Sequence, residues 1–331
     1  MKRHPLPIYV QRFFTERLAT QLHASPNTIA SYRDTFRLLL KYASDRLGRP
    51  PTELQLSDID ADLVGDFLTF IETQRGNGAR SRNTRLSGIR SFFKYVAGNE
   101  PQLLHLCQQL LAMPSKRFER RTIDFLTRAE IEAVIAAADQ TTRSGRRDRM
   151  LLLLALQTGL RVSELVNLTC ADVVLGTGAH VRCMGKGRKE RSTPLRKDCV
   201  EALRAWLNER RGTDSAPLFM SNRRDRLSRD AVERIVHKHI ELAGKSCPTL
   251  IGKRVTPHVL RHTAAMQLLQ NGVDRTVIAL WLGHESVEST QMYVHADIEL
   301  KEKAMAKTQP VAVSPGRYRP SDGLLAFLEG L

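Results

Sequence analysis

Residues 256–293 read TPHVLRHTAAMQLLQNGVDRTVIALWLGHESVESTQMY, and the rest of the chain is best understood from this stretch. Thr256 is a typical helix N-cap and Pro257 suits the first helical turn, so the pattern predicts a helix that ends near Gly272. A second, shorter helix is predicted after the glycine, at 274–282. Its apolar composition indicates that it is mostly buried.

Five polar side chains in this stretch suit phosphate chemistry. His258, Arg261 and His262 are spaced i, i+3 and i+4, so they share a helix face near its positive end. Arginine offers a planar fork to two phosphate oxygens, and histidine can donate from a ring nitrogen. His284 follows a glycine turn, and Tyr293 could attack phosphorus if nearby cations favoured its phenolate. Each residue alone is more often a cap or a packing residue, but their combination favours a phosphate site.

The composition indicates a basic, DNA- or RNA-binding protein of two domains. The chain has 331 residues, a formal net charge of +16 and a pI of about 10.0, which points to a polyanionic partner. The odd number of cysteines shows no C-x-x-C spacing and predicts neither disulfides nor a zinc site, so a reducing cytoplasm is expected. Export and membrane segments are not indicated. The cysteines are Cys107, Cys170, Cys183, Cys199 and Cys247.

The first 115 residues are predicted to form a small helical bundle. Apolar residues recur at helical spacing in four segments, and Ser25-Pro26 marks the start of the second. Four arginines lie within 76–90 with no acidic residue between them, which favours contact with a nucleic-acid backbone. The predicted helices are 8–24, 26–47, 58–74 and 101–113, and the candidate DNA-binding residues are Arg80, Arg82, Arg85 and Arg90.

The remaining residues mix helices with one predicted hairpin. Thr127 opens a capping box, and buried helix 147–157 ends at a glycine turn. Arg161 follows that turn, where a charged residue either pairs with an acid such as Glu164 or projects into a site. Strands are predicted at 179–184 and 190–195, and Lys186, Arg188 and Lys189 lie in the basic turn between them. Two further helices are predicted at 196–210 and 228–243.

In sequence order, the motifs resemble the signature of the tyrosine recombinase, or phage integrase, family. The motifs are TGLRVSEL (158–165), GKGRKER (185–191), HVLRH (258–262), LGH (282–284) and Tyr293. The resemblance implies a mainly α fold, with an all-helical core-binding domain at 1–115 and a catalytic domain at 116–310. The catalytic domain would be of the α+β type, mostly helical with a small antiparallel sheet. The tail, 311–331, departs from the family's usual end.

The resemblance also implies a role for each motif residue. Arg161 and Arg261 would hold the non-bridging oxygens of the scissile phosphate, and Lys186 would protonate the leaving 5′ oxygen. His258 would be the acid/base partner of the nucleophile Tyr293. His284 would hydrogen-bond the phosphate, and Glu164 would orient the site from behind. No metal is implied, because arginine and histidine donors stabilise the charge on the phosphate, and no nucleotide cofactor is implied, because the phosphotyrosine linkage conserves the bond energy.

The implied function is site-specific cleavage and rejoining of duplex DNA by a homo- or hetero-tetramer. Integration for a mobile element is the favoured role, and resolution of chromosome or plasmid dimers, as Xer proteins perform it, is the alternative. A topoisomerase of type IB would share the phosphotyrosine step. A non-catalytic DNA-binding accessory protein is an alternative of another class.

Overall fold

A computed structural model describes residues 4–118, 123–185, 189–210, 213–283 and Tyr293. The chain divides into two compact units, 1–120 and 121–331. The described residues are mainly helical, with one three-stranded antiparallel sheet, which confirms the predicted fold class. None of the described helices combines the length and the apolar character that crossing a membrane requires.

The first unit is all-helical in its described residues, as predicted. The Ser25 hydroxyl accepts from the Thr28 amide to begin the second helix, and Gly48 ends it in the left-handed conformation. The third helix begins after its N-cap Asp60, not at residue 58, because a separate 3-10 turn occupies 56–58. The helices are α1 (Leu6–Arg12, continuing as a π-helix at Phe13–Gln21), α2 (Pro26–Leu47), α3 (Ala61–Thr73), α4 (Ala79–Asn99) and α5 (Leu104–Ala112).

The core of the first unit is almost wholly apolar and rich in aromatic rings. Phe92 is fully buried, and its ring centroid lies 5.4 Å from that of Phe13, 5.0 Å from Phe36 and 5.1 Å from Phe93. Such edge-to-face contacts add to the burial of apolar area. The predicted helical periodicity therefore corresponds to a real core.

The second unit combines helices with the three-stranded sheet. Its helices are α6 (Arg128–Ala136), α7 (Arg143–Thr158), α8 (Val162–Asn167), α9 (Lys197–Arg210), α10 (Arg229–Gly244), α11 (Pro257–Gln270) and α12 (Arg275–Leu282). Its strands are β1 (Val173–Val174), β2 (His180–Met184) and β3 (Glu190–Pro194), paired in that order. The predicted hairpin is β2–β3, whereas the two-residue β1 was not predicted.

Two expectations for the stretch at 256–293 need correction. α11 begins at Pro257 as expected, but the Thr256 side chain makes no capping hydrogen bond. α12 is not mostly buried, because Val277 is 47% exposed and Leu280 is 72% exposed. The apolar residues that α12 does bury, Ile278 and Leu282, pack against α11. α12 is therefore amphipathic, and its inner face packs against α11.

Candidate active site

The turn between α7 and α8 positions Arg161. Gly159 ends α7 with φ +62°, where a Cβ would lie only 2.6 Å from Leu282 Cδ2. Arg161 then occupies the N-cap of α8. Its guanidinium donates to Glu164 Oε1 at 2.9 Å and to the Gly283 carbonyl at 3.1 Å. Of the two alternatives that the sequence left open for Arg161, the structure shows the pairing with Glu164, and the second contact joins α8 to the end of α12.

Arg261 lies under the same turn. It is 2% exposed and donates to the Gly159 carbonyl at 2.7 Å and to the Leu282 carbonyl at 2.8 Å. Both carbonyls belong to the C-terminal ends of helices, which favour a cation. Burial and, after it, the nearby charge of Arg161 lower the pKa of Arg261 to about 10, against the opposing effect of Glu164. A desolvated guanidinium beside another like charge is a strong attractor for an anion.

Glu164 is the acid that accepts hydrogen bonds from Arg161 and Arg191. It is 6% exposed, and its carboxylate accepts from the Arg161 amide at 2.7 Å as well as from the Arg161 guanidinium. Arg191 donates to both carboxylate oxygens, at 3.0 and 2.7 Å. Burial raises the pKa of Glu164, but the hydrogen bonds from Arg191 and Arg161 lower it more, so the net pKa is below the ordinary value. The carboxylate is thus ionised and fully hydrogen-bonded.

Tyr293 is buried beside α11. It is 1% exposed, and its hydroxyl lies 3.2 Å from Nδ1 of His262. The exposed His258 packs its ring on that of His262, with 4.4 Å between centroids. Burial raises the pKa of Tyr293, and the charges of Arg261 and Arg161 act against that rise. The phenol therefore lies within the electrostatic reach of both arginines.

The structure brings several predicted residues together and leaves others undescribed. Arg161, Glu164, Arg261 and Tyr293 share one region, and His258 adjoins it through His262. Lys189 is exposed at the base of the β2–β3 turn, where its carbonyl accepts from the Gly185 amide at 2.8 Å. The predicted residues Lys186, Arg188 and His284 lie outside the described residues, as does the tail at 311–331.

The candidate DNA-binding arginines of the first unit all lie on α4. Arg80 is exposed, whereas the others are partly buried. Arg82 lies 3.5 Å from Glu72 of α3, an acid that the local sequence did not reveal, and Arg90 donates to Ser115 at 3.3 Å. Burial lowers the pKa of Arg85, and the charge of Arg75 adds to this. α4 is therefore rich in positive charge, but internal contacts hold part of that charge in place.

Two site residues were not assigned by sequence reasoning. His262 was placed on the correct helix face without a role, and the structure makes it the hydrogen-bond partner of Tyr293. Arg191 was placed in the second predicted strand without a role, although strand alternation puts it on the same face as buried Thr193. That alternation was the available signal. Among the described residues, no group of three or more His, Cys, Asp and Glu could hold a metal ion.

Comparison with known proteins gives matches over nearly the whole chain. Residues 124–299 match the phage integrase family, and residues 11–99 match the phage integrase N-terminal SAM-like domain. A Sinorhizobium fredii protein named as an integrase/recombinase, y4rC, is 52% identical over 330 residues, covering 100% of this chain and 99% of the relative. The tyrosine recombinase XerC of Pelobacter propionicus is 33% identical over 306 residues, covering 92% and 96%.

Solved structures show the same fold. The crystal structure of the XerH site-specific recombinase bound to a palindromic difH substrate superposes with a TM-score of 0.69 at 23% identity. That match covers 86% of this chain and 81% of the other.

Proposed function

The chain belongs to the phage integrase family and is a site-specific DNA recombinase, and we propose that it cleaves and rejoins DNA through a covalent 3′-phosphotyrosine on Tyr293. The observation that carries the proposal is that two buried or half-buried arginines act electrostatically on one buried phenol. In-line attack spreads negative charge over the equatorial oxygens of the phosphate, and arginine forks stabilise that charge. Arg161 and Arg261 are assigned this role.

In the proposed step one bond to phosphorus forms and one breaks, and one proton leaves the attacking oxygen while another reaches the departing oxygen. The Tyr293 oxygen attacks phosphorus, the bond from phosphorus to the 5′ oxygen breaks, and the phenolic proton passes to His258. Lys186 gives a proton to the leaving 5′ oxygen, and His284 donates to a non-bridging oxygen. Rejoining is the reverse, with a 5′ hydroxyl attacking the phosphotyrosine. Because Tyr293 is 1% exposed, its hydroxyl has to become accessible when DNA binds.

DNA binding is proposed to use both units. Residues 1–115 would grip the duplex through phosphate contacts from Arg80, Arg82, Arg85 and Arg90, and residues 116–310 would add Arg188 and Lys189 together with the chemistry. A homo- or hetero-tetramer would align two sites for exchange. The five cysteines are free thiols, which suits the proposed cytoplasmic location.

The nucleophile is tested with a nicked DNA substrate. Fragments that bind the protein are first selected from random DNA, and a nick near the cleavage point then lets the cleaved end diffuse away. We expect wild type to become covalently attached to the labelled strand and Tyr293→Phe to form no adduct. Tyr42→Phe, which changes a half-buried tyrosine packed on Phe70, is the matched control and should trap normally. Equal trapping by Tyr293→Phe would refute the assignment.

Arg161→Ala separates cleavage from binding. The variant should bind the selected fragment nearly as tightly as wild type, while its cleavage rate falls on the order of 10²- to 10³-fold. A comparable loss of binding would instead make Arg161 a structural residue.

The favoured biological role is integration or recombination for a mobile element, because the relative at 52% identity is named as an integrase/recombinase. Xer-type resolution of dimers is the second candidate, favoured by the similarity to XerC at 33% identity. The two roles differ in their sites. A resolvase recombines two copies of one sequence, whereas an integrase joins two dissimilar sequences, so recombination assays on pairs of selected fragments distinguish them.

A further inference from the structure

Arg191 of β3 is a largely buried cation with two separate sets of hydrogen-bond partners. Its side chain is 11% exposed and forms the two-point ion pair with Glu164. Its Nε also donates to the Trp281 carbonyl at 3.2 Å. The guanidinium therefore joins β3 to α8 and to the last turn of α12.

Two glycines make room for this side chain. A Cβ on Gly283 would lie 2.9 Å from Arg191 Nη1, and a Cβ on Gly185 would lie 3.1 Å from the same atom. These glycines directly precede His284 and Lys186 in the chain. Arg191 therefore packs against Gly185 and Gly283, and each of these glycines is followed directly by a proposed catalytic residue.

We propose that Arg191 is a positioning residue for strand cleavage, which fixes Glu164, Arg161 and the chain at Gly185 and Gly283 in their catalytic arrangement. This inference rests on the proposed function. Arg161 shares the Glu164 carboxylate with Arg191, at 2.9 and 3.0 Å to the same oxygen. Without Arg191, each oxygen of that carboxylate loses one of its two donors, so the acid that orients Arg161 is itself less firmly held. Small misplacements of this kind are costly in a pre-organised site.

The planar fork of arginine is needed at this position. The two carboxylate oxygens and the Trp281 carbonyl lie around one guanidinium, which offers donors in fixed directions. Lysine keeps the charge but cannot present the same planar set. Arg191→Lys should therefore restore part of what Arg191→Met loses.

The experiment compares Arg191→Met and Arg191→Lys with Arg146→Met. Arg146 is a matched control, because it forms a two-point ion pair with Glu209, at 2.8 Å for both contacts, elsewhere in the same unit. Binding to the selected fragment and the single-turnover rate of adduct formation on pre-bound DNA are measured across pH. We expect Arg191→Met to bind like Arg146→Met while its cleavage rate falls on the order of 10²-fold. Arg191→Lys should be intermediate.

The pH profile provides a readout that a purely structural role would not change. Arg191 is the foremost hydrogen-bond donor that lowers the pKa of Glu164, so its removal should raise that pKa. The acid side of the cleavage profile should then move to higher pH in Arg191→Met, and Glu164→Gln should abolish that dependence. If Arg191→Met matches Arg146→Met in rate and profile, the inference is overturned while wild-type trapping still supports the proposed function. If wild type forms no adduct, the proposed function itself fails.

Discussion

The two units bury different kinds of side chain. Among the described residues of the first unit, Thr35 is the sole buried polar one, and the core is built from apolar and aromatic groups. The second unit buries several charged or ionisable side chains as well as an apolar core: Glu130, Asp148, Glu164, Arg210, His239, Arg261 and His262. Burying a charge costs free energy unless the charge is paired. The second unit therefore carries a desolvation cost that a purely structural domain does not need. In our proposal both units bind DNA, but only the second performs chemistry, and it is the second unit that buries charged side chains.

The chain offers a convenient way to measure the two units separately. Both tryptophans, Trp206 and Trp281, belong to the second unit, so tryptophan fluorescence reports on that unit. Far-UV circular dichroism follows the helices of both units. Denaturant titrations read by the two signals therefore test whether a substitution acts locally.

The largest expected loss of stability comes from the aromatic core of the first unit. Phe92→Ala should lower the free energy of unfolding by about 3–5 kcal/mol, because it removes a fully buried ring and leaves a cavity. The circular dichroism transition should move to lower denaturant more than the fluorescence transition does. Leu104→Ala, which truncates a side chain that is 46% exposed, is the control and should change little. Equal shifts of both signals would contradict the separation of the two cores.

A buried ion pair in the second unit gives the next largest effect. Asp148 is 2% exposed, and it accepts from Arg147 at 2.7 Å and pairs with His239 at 3.1 Å. Asp148→Asn should cost about 3 kcal/mol at pH 7, measured by fluorescence, because it leaves the half-buried Arg147 guanidinium without its counter-charge. Asp198→Asn changes an exposed partner of Arg196 and should cost within about 0.5 kcal/mol.

The same pair predicts a pH dependence. Burial raises the pKa of Asp148, but the hydrogen bonds from His239 and Arg147 lower it more, so the folded-state pKa lies below the unfolded value. A lowered carboxyl pKa contributes stability above the unfolded value of about 3.9, and that stability is lost as the pH falls through the folded pKa. The difference between wild type and Asp148→Asn should therefore shrink in acid. A difference that grows in acid would have the wrong sign.

Local signals in the sequence predict an element well, whereas contacts between distant residues are not visible in it. α2 has its predicted bounds because its cap, its proline and its closing glycine are all local signals. α4 was not among the predicted helices, since its N-cap Gly78 offers no side-chain cap. The role of Arg191 was missed because its partners lie 27 and 90 residues away in the chain. Motif residues indicated which atoms could do chemistry, but long-range contacts determine how those atoms are held.

Two helix-ending glycines allow a direct comparison between the units. Gly48 and Gly159 have φ of +64° and +62°, so alanine is strained at either position. A Cβ on Gly48 would have no neighbour within 4 Å, whereas a Cβ on Gly159 would contact Leu282 Cδ2 at 2.6 Å. We expect Gly48→Ala to cost about 1 kcal/mol and Gly159→Ala about 2 kcal/mol, because packing adds to backbone strain. Gly159→Ala should also slow cleavage, since the Gly159 carbonyl holds Arg261. Equal costs and normal cleavage would show that the turn adapts freely.

The smallest expected effect compares one helix cap in each unit. Ser25 caps α2 with a hydrogen bond from the Thr28 amide at 3.2 Å, and Ser25→Ala should cost about 1 kcal/mol. Thr127 caps α6 at 3.4 Å, but Glu130 also accepts from the Thr127 amide at 2.9 Å and is itself bound by Lys253. Because that second bond survives when the hydroxyl is removed, Thr127→Ala should cost less than Ser25→Ala. The opposite order would mean that the buried Glu130 depends on the Thr127 hydroxyl for its position. Charged groups of the second unit that lie outside the proposed active site would then also act as a network.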